Sequence, residues 1–361
     1  MNHFPKYVEQ AINEYRSGLV LASSDLSLGA ISEMVDSKAI DISPDFQRRD
    51  RWSVSKQSQL IESFLLNMPV PPVYLFEHED GTYAVIDGKQ RITAINLFMN
   101  GKLTLKEMEI LRDIEGLNID SFPASILNGL SVRPYVRTVT ILNQSRENIS
   151  YEVFLRLNRS GVPLSPMEIR KVAFRGLYCD MIFEEAKNEF LYKQLKIKGT
   201  ASPAYRKMQD AEFVLRFLSL MNTWDNFGSD YRRSMDDHML AHAGSERSLV
   251  EKHRQRFRRA LLYCEKIWGD HAFQRPVRPG EWRNFSVAGV YDAQMLAVDR
   301  CNDEELELAC MNSGIIRELT ESAFLQDGRL VKAATAATNN RTNIVYRVDA
   351  FIHILRCLNK D

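Results

Sequence analysis

Two hydrophobic periods alternate along the first 145 residues. Leu28, Ile31, Met34 and Val35 recur at helical spacing behind Ser27, which predicts a short capped helix. Ala39, Ile40 and Ile42 predict a short strand ended by Pro44. Between Val54 and Asn67, the positions Val54, Leu60, Ile61, Phe64 and Leu65 share one side of a helix, with Ser53 as its N-cap. That helix stops at Asn67-Met68-Pro69, because proline disfavours helical geometry in the residue before it. The apolar runs Val73 to Phe76 and Thr82 to Ile86, joined by a five-residue segment ending in Gly81, predict a hairpin. From Gln90 a helix carries Ile92, Ile95, Leu97 and Phe98 and closes at Asn100-Gly101. Tyr135 to Leu142 is the last strand expected.

After Ser150 the period is helical almost throughout. Ser165-Pro166-Met167-Glu168 reads as a capping box with proline at the first helical position. Further amphipathic helices are expected at Asp210 to Met221, Leu249 to Trp268 and Val345 to Leu358, with a glycine- and proline-marked loop at Arg275 to Trp282. The expected organisation is therefore α+β: a mixed domain over residues 1–145 and an all-helical region over 146–361.

Composition narrows the classes. With 361 residues, 45% hydrophobic and 26% charged, the chain has the make-up of a globular protein and not of a disordered or disulfide-scaffold one. Lys+Arg and Asp+Glu balance at 47 each, which excludes a uniformly basic nucleic-acid coat but not local basic faces. The N-terminus lacks a basic-then-apolar secretory pattern, and no stretch approaches the roughly 20 apolar residues needed to span a bilayer. Cys179, Cys264, Cys301, Cys310 and Cys357 are scattered without a CxxC, as expected of reduced thiols. These features together predict a cytoplasmic protein with no membrane partner. His238 and His242 stand at i, i+4, but the Glu of an HExxH zinc site is missing between them, and the pair reads as structural or solvent-facing.

The segment richest in chemistry is TYAVIDGKQRITAINLFMN, residues 82–100, in which a buried strand runs through Asp87-Gly88-Lys89-Gln90-Arg91 into a helix. Glycine at such a junction lets backbone approach a ligand, and the free N–H groups of a helix start attract anions. Lys89 and Arg91 add positive charge, and the planar fork of Arg91 suits phosphate oxygens. Asp87, at the end of the strand, is placed to hold Mg2+ or to orient a water. The turn also reads as an ordinary solvated connection, and it lacks the GxxxxGK[ST] spacing of a Walker A loop. Upstream, Pro44-Asp45-Phe46-Gln47-Arg48-Arg49-Asp50-Arg51-Trp52 joins three arginines to two aromatics. It fits phosphate contact and base stacking, and equally a loop whose arginines pair with Asp45 and Asp50.

In order along the chain, PDFQRRDRW, LIESFLLNMPVPPVYLF, VIDGKQRITAINLF, VFLRLNRSGVPLSPMEIRKVAF and RKMQDAEFVLRFLSL resemble the N-terminal domain of GmrSD-type modification-dependent restriction systems, over about residues 25–220. That domain is the DGQQR-motif family of the ParB/sulfiredoxin-like superfamily. The resemblance implies a ParB-like domain over residues 1–145 that binds and hydrolyses an NTP with Mg2+. By position, the catalytic roles fall on Asp87, Gln90 and Arg91, with Asp87 also the metal ligand. Nucleotide or phosphate binding falls on Gly88, Lys89, Gln47, Arg48, Asn158 and Gly161. Lys89 departs from the family pattern, which has Gln there; lysine contacts phosphate but accepts no hydrogen bond. Residues 221–361 show no His-rich pattern of the HNH nuclease that ends fused members, so the chain resembles a stand-alone S-like subunit with a separately encoded partner nuclease or ATPase, and a homo-oligomer is compatible with it.

Two basic stretches are candidates for nucleic-acid contact. One is Lys193, Lys196, Lys198, Arg206 and Lys207, expected in an adaptable loop and joined by Arg51 as the DNA-binding set. The other is Arg247, Lys252, Arg254, Arg256, Arg258 and Arg259, on and before a helix. Charge runs are also commonly solvated helix faces. Three functions are thus in competition: an NTP-hydrolysing component of a prokaryotic antiviral restriction system acting on foreign or modified DNA; a non-enzymatic ParB-like adaptor that binds DNA or nucleotide and recruits a partner; and direct nuclease action at the DGKQR turn.

Overall fold

A computed structural model describes residues 6–42, 52–133, 135–145, 147–157, 165–228 and 230–359. The chain divides into two compact units, Met1–Leu164 and Ser165–Asp361. The first unit holds α1 (Lys6–Ser17), β1 (Leu21–Ser27), α2 (Leu28–Asp36), β2 (Ile40–Asp41), α3 (Val54–Leu65), β3 (Val73–Glu77), β4 (Tyr83–Asp87), α4 (Lys89–Met99), α5 (Ala124–Val132), β5 (Tyr135–Ile141) and α6 (Glu147–Leu157).

The five strands form one mixed sheet in the order β1-β5-β3-β4-β2. β1 pairs antiparallel with β5 and β3 with β4, whereas β3–β5 and β2–β4 are parallel. Ala84, Val85 and Ile86 are all buried, as expected of an interior strand covered on both faces. Helices α2, α3 and α4 turn Leu28, Ile31, Ile61, Phe64, Ile92, Ile95 and Phe98 into a single core with Val73, Leu75 and Val85 of the sheet. The expected caps form: Ser27 accepts from the Ala30 N–H at 3.2 Å and Ser53 from the Lys56 N–H at 3.3 Å. β1, which the hydrophobic pattern does not reveal, is an edge strand of sequence LASSDLS whose side chains are largely exposed. It therefore carries no apolar alternation.

A buried carboxylate fixes the segment that follows α4. Glu62 of α3, 4% exposed, accepts from the backbone N–H groups of Glu109, Ile110 and Leu111 at 3.1, 2.8 and 2.6 Å. Burial alone would raise its pKa, but the three donors outweigh that and hold it below the ordinary value of 4.5.

The second unit comprises α7 (Pro166–Ala173), α8 (Leu177–Glu185), α9 (Glu189–Gln194), α10 (Pro203–Arg206), α11 (Gln209–Leu220), α12 (Tyr231–His242), α13 (Arg247–Trp268), α14 (Ala288–Arg300), α15 (Asp303–Met311), α16 (Ser313–Gln326), α17 (Gly328–Thr335) and α18 (Arg341–Arg356). The capping box at Ser165 and Glu168 is present with both bonds. The loop expected at Arg275 to Trp282 is instead a small ribbon of β6 (Pro276–Arg278) and β7 (Glu281–Trp282), so this unit is not wholly helical. Its two strands, of three and two residues, are too short for a period-2 pattern to show.

Helices α11, α12, α14 and α18 meet at a fully buried charge cluster. Asp292 accepts from Arg216 at 2.5 and 2.8 Å, from Arg347 at 2.7 Å and from the Tyr231 hydroxyl at 2.6 Å. Burial works against the Asp292 carboxylate, but the two guanidinium groups outweigh it and hold the pKa below its usual value. The five cysteines are free thiols, with Cys179, Cys264 and Cys301 buried. Among the described residues no helix is long and apolar enough to cross a membrane.

Replacing Glu62 by Gln removes the charge from a carboxylate that serves three backbone donors. The expected loss is about 2–4 kcal/mol at neutral pH, read from urea unfolding of the full chain. Because the folded pKa is depressed, this contribution is present above about pH 4.5 and fades as pH falls further, so wild type and variant converge in acid.

Candidate functional site

The β4–α4 junction is made by one backbone conformation. Gly88 sits at φ 93°, ψ 10°, in the left-handed region, and is the N-cap of α4 with no side-chain cap. A Cβ at this position would lie 2.8 Å from Cγ2 of Val73 and 3.0–3.1 Å from the guanidinium of Arg91. The turn therefore needs glycine for its dihedral angle and for its space.

Around that glycine the predicted residues separate into distinct roles. Arg91 reaches back one helical turn and donates from Nη2 to Oδ2 of Asp87 at 2.8 Å and to the Pro72 carbonyl at 3.2 Å. Its Nε–H is buried and has no hydrogen-bond partner among the described residues. Asp87 is the more open member of the pair, with 34% of its side chain exposed against 14% for Arg91. Gln90 is committed to the chain: its Oε1 accepts from the Trp52 backbone N–H at 3.1 Å, while Gln57 donates to the Trp52 carbonyl at 3.2 Å. Lys89 is partly buried at the first helical position. The structure thus brings Asp87, Gly88, Lys89, Gln90 and Arg91 together at the carboxyl end of an interior strand, with the Arg91 Nε–H buried and the start of α4 lacking a side-chain cap.

Gln47, Arg48 and Arg51, and likewise Asn158 and Gly161, lie outside the described residues. Their flanks in the sheet are nevertheless informative. β2 runs parallel to β4, so Asp41 and Ile42 head toward the same sheet edge as Asp87, and Trp52 returns to Gln90. The anchoring of Trp52 by Gln90 and Gln57 was not read from the sequence. No periodic signal marks a side chain that bonds backbone 38 residues away.

The two basic stretches of the second unit behave differently. On α13, Arg254 pairs with Glu184 and Glu185, Arg256 with Asp299, Arg258 with Glu185 and Arg259 with Asp303. These arginines hold helices together and do not form an unopposed basic face. Lys193, Lys196, Lys198, Arg206 and Lys207 are all exposed, with Lys193 in an ion pair with Asp270 at 2.5 Å. Here the expected loop is shorter than the stretch itself, because α9 includes Lys193 and α10 includes Arg206.

A second cluster is assembled from three helices of the second unit. The hydroxyl of Tyr178, on α8, lies 2.7 Å from Nε2 of His238 and 2.8 Å from Nδ1 of His253. His238 and His242 stack on α12 with ring centroids 4.2 Å apart, and Nδ1 of His242 bonds the His238 carbonyl at 2.8 Å. Burial, reinforced by the neighbouring histidines, lowers the pKa of His238 to about 3; burial and His242 lower that of His253 to about 4. The i, i+4 spacing of His238 and His242 was visible in the sequence. The third imidazole, from the next helix, was not.

The first unit is thus a mixed α+β domain in which a glycine turn leads from an interior strand into a helix start. Residues 31–175 match the family model described as GmrSD restriction endonuclease, N-terminal domain. The match runs past the division at Leu164 to take in α7. No curated protein and no solved structure matches the chain.

Gly88→Ala is expected to destabilise the first unit by about 2–4 kcal/mol, the sum of a positive-φ penalty and the displacement of Val73 and Arg91. Denaturant unfolding of the full chain measures it. A change below about 0.5 kcal/mol would show that the turn tolerates a side chain.

Proposed function

We propose that this protein is the nucleotide-binding, NTP-hydrolysing component of a prokaryotic restriction system that acts on foreign or modified DNA. The observation that carries this reading is the buried, unpartnered Nε–H of Arg91 beside the uncapped start of α4. Asp87 engages only one of the guanidinium nitrogens, which leaves a donor for a phosphate oxygen without breaking the ion pair. The GmrSD-type domain supplies the restriction context and DNA as the target.

In this reading Gly88 permits close approach of the phosphates, Lys89 and the α4 N–H groups neutralise their charge, and Arg91 faces the charge that develops on the transferred phosphoryl group. Asp87 orients the attacking water through the oxygen not taken by Arg91. A new P–O bond forms to that water, the bond to the leaving diphosphate breaks, and the water's proton passes to the carboxylate or solvent. Asp87 is also the one carboxylate of the turn, so a Mg2+ would be held by it together with waters and the phosphates themselves. Gln90 positions Trp52. Nucleotide binding is assigned also to Gln47, Arg48, Asn158 and Gly161, and contact with the DNA backbone to Arg51 and, separately in the second unit, to Lys193, Lys196, Lys198, Arg206 and Lys207.

The adaptor reading has its own support. The amide oxygen of Gln90 is already occupied by Trp52, and Lys89 stands where the family pattern has Gln. Both favour binding over turnover, with cleavage left to a partner nuclease or ATPase or to assembly with further copies.

Phosphate release from each of the four NTPs, with Mg2+ and with modified or unmodified DNA, separates the readings. Hydrolysis predicts turnover that falls on the order of 100-fold in Asp87→Asn and in Arg91→Lys while thermal unfolding stays cooperative. Nucleotide-induced stabilisation without phosphate release supports the adaptor instead, and the absence of both responses rejects the nucleotide site. Reversing Lys196, Lys198 and Lys207 to Glu is expected to weaken DNA binding and to flatten its salt dependence, measured by fluorescence anisotropy across a salt series.

A further inference from the structure

We infer that His238, His242 and His253, with the oxygen of Tyr178, form a four-donor site for a divalent transition-metal ion of the zinc class.

The donor atoms of the three histidines already lie within 4.8 Å of one another. Tetrahedral zinc with bonds of about 2.0–2.1 Å requires donors about 3.3 Å apart, so rotation of the side chains by an ångström or so closes the site. The Tyr178 oxygen, 2.7 and 2.8 Å from nitrogens of His238 and His253, stands at the fourth corner. Nitrogen donors with one phenolic oxygen suit zinc, copper or cobalt, and not calcium or magnesium.

The surroundings favour a ligand set over a plain hydrogen-bonded stack. His242 gives its Nδ1 to a backbone carbonyl, the outer bond that fixes a metal-binding tautomer and leaves Nε2 with its lone pair. His253 and Tyr178 are anchored inside the unit, while His238 and His242 are only partly buried and leave a path from solvent. The ligands come from α8, α12 and α13, so an ion would tie three helices of the second unit to one another.

With the Tyr178 O–H donated to one ring and an N–H of the other ring donated to its oxygen, both short contacts are satisfied. When four donor–metal bonds form, the imidazole proton moves to the other nitrogen of its ring and the phenol proton leaves to solvent. One proton is therefore released for each ion bound.

The test uses the full chain, stripped by chelator and titrated with Zn2+ or Co2+. Expected are one Zn2+ per chain with a dissociation constant tighter than about 1 µM, release of about one proton by calorimetry in two buffers, and intense visible bands of tetrahedral Co2+. His238→Gln and His242→Gln, both at partly exposed positions, should weaken binding at least about tenfold; Tyr178→Phe should abolish the proton release. Saturating zinc should raise the unfolding temperature of wild type but not of the histidine variants. Binding weaker than about 100 µM, an octahedral Co2+ spectrum, or equal affinity in the histidine variants would overturn the site. Should a variant fail to fold, the wild-type stoichiometry and Co2+ spectrum decide alone.

Discussion

The first unit depends on a single backbone constraint, the left-handed turn at Gly88 that converts an interior strand into a helix within one residue. With a Cβ there, Val73 and Arg91 must move, and both are committed: Val73 to the core and Arg91 to Asp87 and the Pro72 carbonyl. The turn therefore sets where Asp87 ends its strand and where Arg91 begins its reach. It also aims Gln90 at Trp52, which makes the start of α3 part of the same arrangement.

Charge is used differently in the second unit. Asp292 is buried with two arginines and a tyrosine, and removing its carboxylate would leave two buried guanidinium groups without their counterion, at a cost of about 3–5 kcal/mol. The arginine run on α13 follows the same logic in part-exposed surroundings, each guanidinium meeting a carboxylate from another helix or from its own. The formal net charge of zero is thus largely internal bookkeeping between helices. The stretch through Lys196, Lys198, Arg206 and Lys207, by contrast, is exposed.

Local signals in the sequence were enough for the elements that frame the site. Ser27, Ser53 and Ser165 cap as their positions imply, and the hairpin of β3 and β4 delivers Asp87 to its strand end. Sequence failed where the cause was nonlocal or too short to be periodic. β1 is a polar edge strand recognised only by its partner β5, and the β6–β7 ribbon has too few residues to alternate. The bond from the Trp52 backbone N–H to the Gln90 amide oxygen spans 38 residues and leaves no local signal. The His238 and His242 pair was legible as spacing, but its meaning depends on His253 and Tyr178, which come from other helices.

The geometry of Arg91 bears on how an anion would enter the turn. A guanidinium satisfied by a carboxylate ordinarily presents two parallel N–H groups to it. Here Asp87 takes Nη2 alone, and that nitrogen is shared with the Pro72 carbonyl, while Nε is turned into the interior and left unpartnered among the described residues. Leaving a buried donor unsatisfied costs about 1–3 kcal/mol, so the unliganded turn holds an unfavourable contact that an incoming oxygen relieves. An anion that accepts from Nε need not compete with Asp87, and the ion pair then keeps the guanidinium plane fixed while it binds. In the proposed phosphate site the carboxylate, which would repel the ligand if it stood alone, would serve as the support that holds the guanidinium in place.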